Sequence, residues 1–417
     1  MKYFGTDGTR AIFNDEFLAL AYKIGFVLSS TGNSILVAVD TRESGELVAE
    51  AFISGAKENL SKVVFGGIMP TPALSVATKK GNFDYGVMIT ASHNPKEYNG
   101  IKIFDKNGYK LSDETLGKIE KKIDEVSVKS FSHFESISDK PLSIYLESLN
   151  NIPKPKKTVK VLVDCANGST IKTAKAFEGF ASELVLTGTQ GFINENSGVF
   201  FVEQAIEKKK EANADIGFVF DGDGDRVICI DENDEILNGD IILYILSKYL
   251  LRQGLLKAKA VVGTVYSSVA LERSLNVLGV SLIRTAVGDK YVSETMRKLR
   301  LPLGAESSGH VIFNATTGDG LRTALLLTYL ASIVPLKDRK SGFVSSVISE
   351  RNYPFDIKLY TKLKADSEKY KNSLGRNGRI IIRKSGTEPI IRVLVESDEE
   401  KILDEIFESM DKATNKS

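Results

Sequence analysis

Cysteine occurs only twice in the 417 residues, at Cys165 and Cys229, and no metal-like spacing joins the pair. Both sit in apolar runs that read as buried strands or strand ends, which points to inert structural thiols rather than a redox pair or a disulfide framework. A chain without disulfides fits a reducing compartment. The opening segment Met1-Lys2-Tyr3-Phe4-Gly5-Thr6-Asp7 lacks the apolar core of a signal peptide. Long hydrophobic runs are missing as well. The longest, residues 241–251, is interrupted by Ser247 and Lys248 and is too short to span a bilayer. These absences predict a cytoplasmic protein with no membrane partner. The formal net charge is only +1, so no global field selects nucleic acid or an anionic surface. Histidine is also scarce: there are three, and two of them, His93 and His310, fall inside the polar clusters described below.

What is present is an ordinary globular composition, 42% hydrophobic and 26% charged. At about 150 residues per domain the length suggests roughly three domains. Short β-branched runs ending in a polar residue recur: 35–39 before Asp40, 159–163 before Asp164, 216–220 before Asp221, and 260–262 before Gly263. Amphipathic stretches at 47–60 and 202–212 lie between them. Strand, polar turn and helix in repetition predict α/β domains with parallel or mixed sheets, in which ligands gather at the carboxyl ends of strands. A connector with two prolines and three lysines covers residues 150–157. Further breaks are expected near 236–240 and 351–353. The last segment changes character, with Ile380-Ile381-Ile382, Ile391-Arg392-Val393-Leu394-Val395 and a helix over about 398–413, as in a small α+β module.

Four clusters could carry chemistry. Asp221-Gly222-Asp223-Gly224-Asp225-Arg226 follows a strand-like run, and intervening glycines let such a loop curl until three hard oxygen donors face one point, which suits Mg²⁺ or Ca²⁺. A calcium-loop reading, with Glu232 in the twelfth position, fails because Arg226 stands where that loop needs glycine and strand-like runs flank it. Thr90-Ala91-Ser92-His93-Asn94-Pro95 offers a candidate nucleophile, although Ser, Asn and Pro are turn residues first and His93 could simply hold the loop. Arg383-Lys384-Ser385-Gly386-Thr387-Glu388-Pro389, with Arg392 after it, combines backbone N–H groups and guanidinium forks as phosphate sites do. Gly304-Ala305-Glu306-Ser307-Ser308-Gly309-His310 presents groups that suit sugar hydroxyls. Taken alone, the serine segment reads first as a structural turn, the Arg383 segment has a tight hairpin with incidental charge as its lesser alternative, and the Glu306 loop could as well be a polar loop with no role.

Together and in this order, the clusters resemble the α-D-phosphohexomutase superfamily. The resemblance covers nearly the whole chain and includes Gly5-Thr6-Asp7-Gly8-Thr9-Arg10, Asp40-Thr41-Arg42 and Pro70-Thr71-Pro72. Within the superfamily the chain looks most like the bacterial phosphoglucosamine mutases, on Val287-Gly288-Asp289-Lys290-Tyr291-Val292, Thr316-Thr317-Gly318-Asp319-Gly320 and the Ile391-Arg392-Val393 continuation. The resemblance implies a four-domain α/β architecture, three α/β domains with mixed sheets and a smaller C-terminal α+β domain around a central cleft. The expected divisions are 1–147, 148–238, 239–350 and 351–417.

It also implies roles. Ser92 would be a phosphoserine, and Asp221, Asp223 and Asp225 would bind one Mg²⁺ with an oxygen of that phosphate. Arg10 and Lys102 would flank the transferring group, with His93 and Arg226 beside them. Glu306 and Ser308 would bind sugar hydroxyls, with Lys290 and His310 nearby. Arg383, Ser385, Gly386, Thr387 and Arg392 would hold the phosphate that is not reacting. The expected reaction interconverts glucosamine 6-phosphate and glucosamine 1-phosphate on the way to UDP-N-acetylglucosamine, through a sugar 1,6-bisphosphate that also serves as activator. The implied partners are a small phosphosugar and, at most, a second copy of the chain, with a monomer or homodimer expected.

The chain departs from the family in places. Ala305 stands where glycine is usual, Ser307 where glutamine is typical, and Lys290 where arginine is expected. Asn194-Glu195-Asn196-Ser197-Gly198-Val199-Phe200-Phe201 replaces a Ser-Thr-His-Pro-like run, and the chain is short between 361 and 379. These changes leave the choice among glucosamine, glucose and mannose phosphates open, with a phosphoglucomutase/phosphomannomutase as the alternative.

Overall fold

A computed structural model describes residues 2–414 except 6, 30, 31, 134, 135, 315 and 385–388. The first sheet holds β1 (Thr9–Ile12), β2 (Ser34–Val39), β3 (Lys62–Ile68), β4 (Tyr85–Ile89) and β5 (Tyr98–Asp105), in the order β1-β5-β4-β2-β3. β2 runs parallel to β3 and β4, and β5 runs antiparallel to β4 and β1. The helices Asp15–Leu28 and Gly45–Lys57 cover this sheet through a close crossing. A Cβ on Gly25 would meet the Phe52 carbonyl oxygen at 2.0 Å, and one on Gly55 would meet that of Tyr22 at 2.0 Å, so both positions need glycine for the backbones to approach. The second helix ends earlier than its apolar pattern suggests, at Lys57, and Leu60 adopts a left-handed backbone (φ +59°) that a helix cannot contain.

The second sheet holds β6 (Lys160–Asp164), β7 (Glu183–Thr187), β8 (Ile216–Phe220), β9 (Val227–Ile230) and β10 (Ile236–Leu237), in the order β10-β9-β8-β6-β7. β6 is parallel to β7 and β8, while β9 returns antiparallel to β8. The third holds β11 (Ala260–Thr264), β12 (Ser281–Thr285), β13 (Leu303–Ala305) and β14 (Val311–Phe313), ordered β12-β11-β13-β14. The fourth is smaller and wholly antiparallel: β15 (Val347–Pro354), β16 (Arg379–Lys384) and β17 (Ile390–Ser397), with β17 central. Its apolar face packs on the helices Ile357–Leu374 and Glu400–Thr414 around Leu363, Val393, Val395 and Phe407.

The expected α/β segments and the smaller terminal module are therefore present, with mixed sheets. Residues 351–353 lie inside β15, which pairs with β17 from Val347 onward. By compactness the chain forms two units, residues 1–266 with 283–341, and residues 267–282 with 342–417. Among the described residues no helix is long and apolar enough to cross a membrane. Cys165 and Cys229 are buried and unpaired, as their apolar surroundings predict.

Candidate active site

The serine loop follows β4. Ser92 is fully buried and holds a left-handed backbone, φ +52°, a conformation that costs a non-glycine residue energy and persists only where neighbours enforce it. The enforcing contacts are specific. Ser92 N–H donates to Thr90 Oγ1 at 2.8 Å, and that hydroxyl donates to Asp40 Oδ2 at 2.6 Å. Arg42, buried and paired to Asp40 at 3.0 Å, points one Nη at the carbonyls of Ser92 (3.0 Å) and Asn94 (2.8 Å). Its other Nη reaches the carbonyls of Pro95 and Tyr98. So oriented, Ser92 Oγ donates to Asp221 Oδ2 at 2.7 Å and lies 3.3 Å from His93 Nδ1.

Asp221, Asp223 and Asp225 leave the end of β8 in a turn where Gly224 takes φ +68°. All three are buried, and each contributes an oxygen to a group lying within 4.8 Å of one another. Lys102, on β5, sets its ammonium 2.7 Å from Asp223 and 2.8 Å from Asp225. Thr71 donates both its N–H and its hydroxyl to Asp223, the former at 2.9 Å to the backbone carbonyl. Even so, Asp223 Oδ1 is buried without a hydrogen-bond partner. Burial, with the charges of Asp225 and Asp223 behind it, pushes the Asp221 carboxyl up to about 8. Burial would raise Asp225 too, but His310 and Lys102 outweigh it and hold that carboxyl well below the usual range. Three hard oxygen donors on one turn, with Asp223 Oδ1 left without a partner, form a donor set that fits a small divalent cation. The calcium-loop alternative gains nothing here, because Glu232 accepts the N–H groups of Leu336 (2.8 Å) and Lys337 (3.0 Å) at another helix start.

The loop between β13 and β14 lies against this group. His310 Nε2 is 2.9 Å from Asp225 and its Nδ1 is 3.1 Å from Glu306. Burial opposes the charge on that ring, yet the two carboxylates raise it to about 10. His93 is the opposite case: burial first, then Arg226 and Arg10, lower it to about 2, so it is neutral. Arg226 bridges the two loops, its N–H on Asp221 Oδ1 at 3.1 Å and its Nε 3.4 Å from His310. Glu306 also accepts the Gly288 N–H at 2.9 Å. Ser307 is half-buried and Ser308 exposed.

Ser92, His93, Arg10, Lys102, the three aspartates, Arg226, Glu306 and His310 are thus connected through a network of contacts in the first unit. Arg10 joins through Asn94 Oδ1 at 3.0 Å and through Asp7. Lys290 is buried but pairs with Asp113 at 2.6 Å rather than with the sugar-type loop. Arg383 and Arg392 are direct cross-strand partners on β16 and β17 of the second unit. Ser385, Gly386 and Thr387 lie outside the described residues. Sequence reading gave no role to Asp7, Asp40, Arg42, Thr71 or Asn194. The available signals were an acidic or basic residue directly at a strand end in Asp40-Thr41-Arg42, and an asparagine in a glycine-rich turn at Asn194.

Four segments match the phosphoglucomutase/phosphomannomutase domain families: alpha/beta/alpha domain I over 1–129, domain II over 143–235, domain III over 238–345 and the C-terminal domain over 350–413. A phosphoglucosamine mutase from Clostridium beijerinckii is 39% identical, covering 98% of this chain and 98% of that protein. One from Clostridium botulinum is 37% identical over 99% and 98%. A phosphoglucomutase/phosphomannomutase family protein from Burkholderia thailandensis shares the fold with a TM-score of 0.82 at 24% identity, covering 98% of this chain and 97% of its own. So does the Aspergillus fumigatus N-acetylphosphoglucosamine mutase solved with GlcNAc-6P and magnesium, with a TM-score of 0.65 at 16% identity over 99% and 95%. With four matching domains in sequence and its buried serine set against a carboxylate triad, this chain belongs to the phosphoglucomutase/phosphomannomutase family of α-D-phosphohexomutases, as an intramolecular phosphotransferase that resembles the phosphoglucosamine mutases.

Proposed function

We propose that this enzyme interconverts glucosamine 6-phosphate and glucosamine 1-phosphate, with Ser92 carrying the phosphoryl group. The observation that carries the reading is Ser92 Oγ, buried and 2.7 Å from Asp221 in a triad with an orphaned oxygen, in a chain 39% identical to a phosphoglucosamine mutase along its length. In the first half-reaction a sugar hydroxyl oxygen bonds to the phosphorus of phosphoserine 92 as the Ser92 Oγ–P bond breaks. The hydroxyl proton passes, in net, to Ser92 Oγ. The sugar is then a 1,6-bisphosphate, which turns over and returns its other phosphate to Ser92. Free bisphosphate would prime an unphosphorylated enzyme in the same way.

Asp221, Asp223 and Asp225 are the residues to hold one Mg²⁺, which when bound would offset charge on the transferring group. Arg10 and Lys102 supply fixed positive charge beside it, since phosphoryl transfer needs positioning and charge stabilisation more than covalent assistance. Glu306 and Ser308, with Lys290 and His310 nearby, are assigned to the sugar, and Arg383, Ser385, Gly386, Thr387 and Arg392 to the distal phosphate. A cytoplasmic setting suits the two buried free thiols.

Ser307 favours keeping a second reading, a phosphoglucomutase/phosphomannomutase, because a short side chain at this half-buried place offers less to read at the sugar 2-position. Specificity is a ratio of kcat/KM values. The enzyme primed with glucose 1,6-bisphosphate and Mg²⁺ is expected to convert glucosamine 6-phosphate with a higher kcat/KM than glucose or mannose phosphates. The reverse order would establish the second reading.

A further inference from the structure

We infer that Asn194 is a positioning residue for the reacting serine, locking the Ser92 turn to the same block of chain that carries the carboxylate triad. Its Nδ2 donates to Ser92 O at 2.8 Å and to Asn94 O at 3.0 Å. Both partners are carbonyl oxygens, so only the amide nitrogen can serve there, which fixes the side-chain orientation. These are the same two carbonyls that Arg42 holds with one Nη. The turn containing Ser92 is therefore gripped by the Arg42 guanidinium beside β2 and by an amide from the segment between β7 and β8.

That second grip is itself built. Asn194 takes a left-handed backbone at φ +60°, which asparagine tolerates better than most residues, and its N–H donates to Ala166 O at 2.8 Å. Asn167 holds the segment by donating to Phe192 O (3.0 Å) and Glu195 O (3.3 Å), and Ser197 donates to Asp164. The triad turn is held close by as well: Ser169 N–H donates to Gly222 O at 2.9 Å, and a Cβ on Gly222 would meet Ile193 Cδ1 and Ser92 O, each at 2.7 Å. Ser92 and Asp221 come from different sheets. Their 2.7 Å contact depends on how these turns are fixed to each other, and Asn194 ties the Ser92 turn to the segment whose Ile193 packs against Gly222 of the triad turn. Misplacing a reacting group by about 1 Å can cost about a hundredfold in rate. This role rests on the reading that Ser92 carries the phosphoryl group, and it gives the altered loop after β7 a part in the chemistry without any contact to the sugar.

The test uses N194G, which keeps the left-handed backbone but removes the amide, and N194D, which keeps the shape but puts oxygens against both carbonyls. The wild type and variants are incubated with glucose 1,6-bisphosphate and Mg²⁺, and Ser92 phosphorylation is followed by intact mass alongside steady-state kinetics and thermal unfolding. Both variants are expected to lose about 10- to 100-fold in kcat and in phosphorylation rate, with KM for glucosamine 6-phosphate within about threefold and folding retained. Phosphorylation and kcat within twofold of wild type in N194D would overturn the inference, because shape alone would then suffice. A raised KM at unchanged kcat would also overturn it, by placing Asn194 on the sugar. Wild-type protein that takes no phosphate on Ser92 would instead defeat the phosphoserine reading itself.

Discussion

In the second unit the buried carboxylate of Glu396 accepts the N–H groups of Val269 (2.8 Å) and Ala270 (3.2 Å), the Ser346 hydroxyl and Arg379 Nε (2.7 Å). In the first unit the buried carboxylates of Asp221, Asp223 and Asp225 crowd one another, and Asp223 keeps an oxygen without a partner. The residue type and the burial are alike, yet the environments differ. Glu396 is met by donors on every side and ties a helix start to a strand end. The aspartates face one another with an oxygen left unpartnered, which is costly for structure and useful where a cation and a phosphoryl group are to be held.

That contrast can be broken from either side. The largest effect is expected from Ser92→Ala, which should lower mutase turnover roughly a thousandfold or more, as loss of a nucleophile does, while thermal unfolding shifts little. Full activity in that variant would remove Ser92 from the mechanism. Next, chelation of divalent metal or Asp223→Asn should cost at least about a hundredfold in kcat, on the scale of one lost electrostatic stabiliser. Mg²⁺ should restore the chelated wild type but not the variant. Glu396→Ala should act on stability instead, costing about 3–5 kcal/mol by removing the buried acceptor shared by the Val269 and Ala270 N–H groups, the Ser346 hydroxyl and Arg379. Denaturant unfolding with a probe in the second unit would measure it, and an unchanged midpoint would mean that Glu396 holds nothing. The smallest effect belongs to Ser307→Gln, which should change the ratio of kcat/KM for glucosamine over glucose phosphates by no more than about tenfold. A larger change would place this loop in control of sugar choice.

The parts of this picture that were legible in sequence were local. Strand ends at Asp40, Asp164 and Asp221 announced themselves because β-branched runs stop at a polar residue, and the Asp-Gly alternation betrays a loop able to curl. Ser92 was a turn serine on local grounds, and only its resemblance to a family gave it a role, because its partner Asp221 lies 129 positions away. Asn194 was visible only as a departure from that family. An asparagine among glycines hints at its left-handed backbone, but the two carbonyls it holds, 102 and 100 positions away, have no sequence signature. Lys290, near the sugar loop by resemblance, pairs with Asp113 at the start of a helix 177 positions away, a contact that no local pattern shows. Residues 351–353 belong to β15, a polar, charged edge strand that reads like a linker until its partner is seen.

The most direct test is to give the protein glucosamine 6-phosphate, Mg²⁺ and a trace of glucose 1,6-bisphosphate, and to follow glucosamine 1-phosphate and Ser92 phosphorylation together. Formation of glucosamine 1-phosphate by enzyme phosphorylated at Ser92, lost in Ser92→Ala, is the predicted result. Conversion that proceeds without phosphate on Ser92, or no conversion by phosphorylated enzyme, would contradict the account.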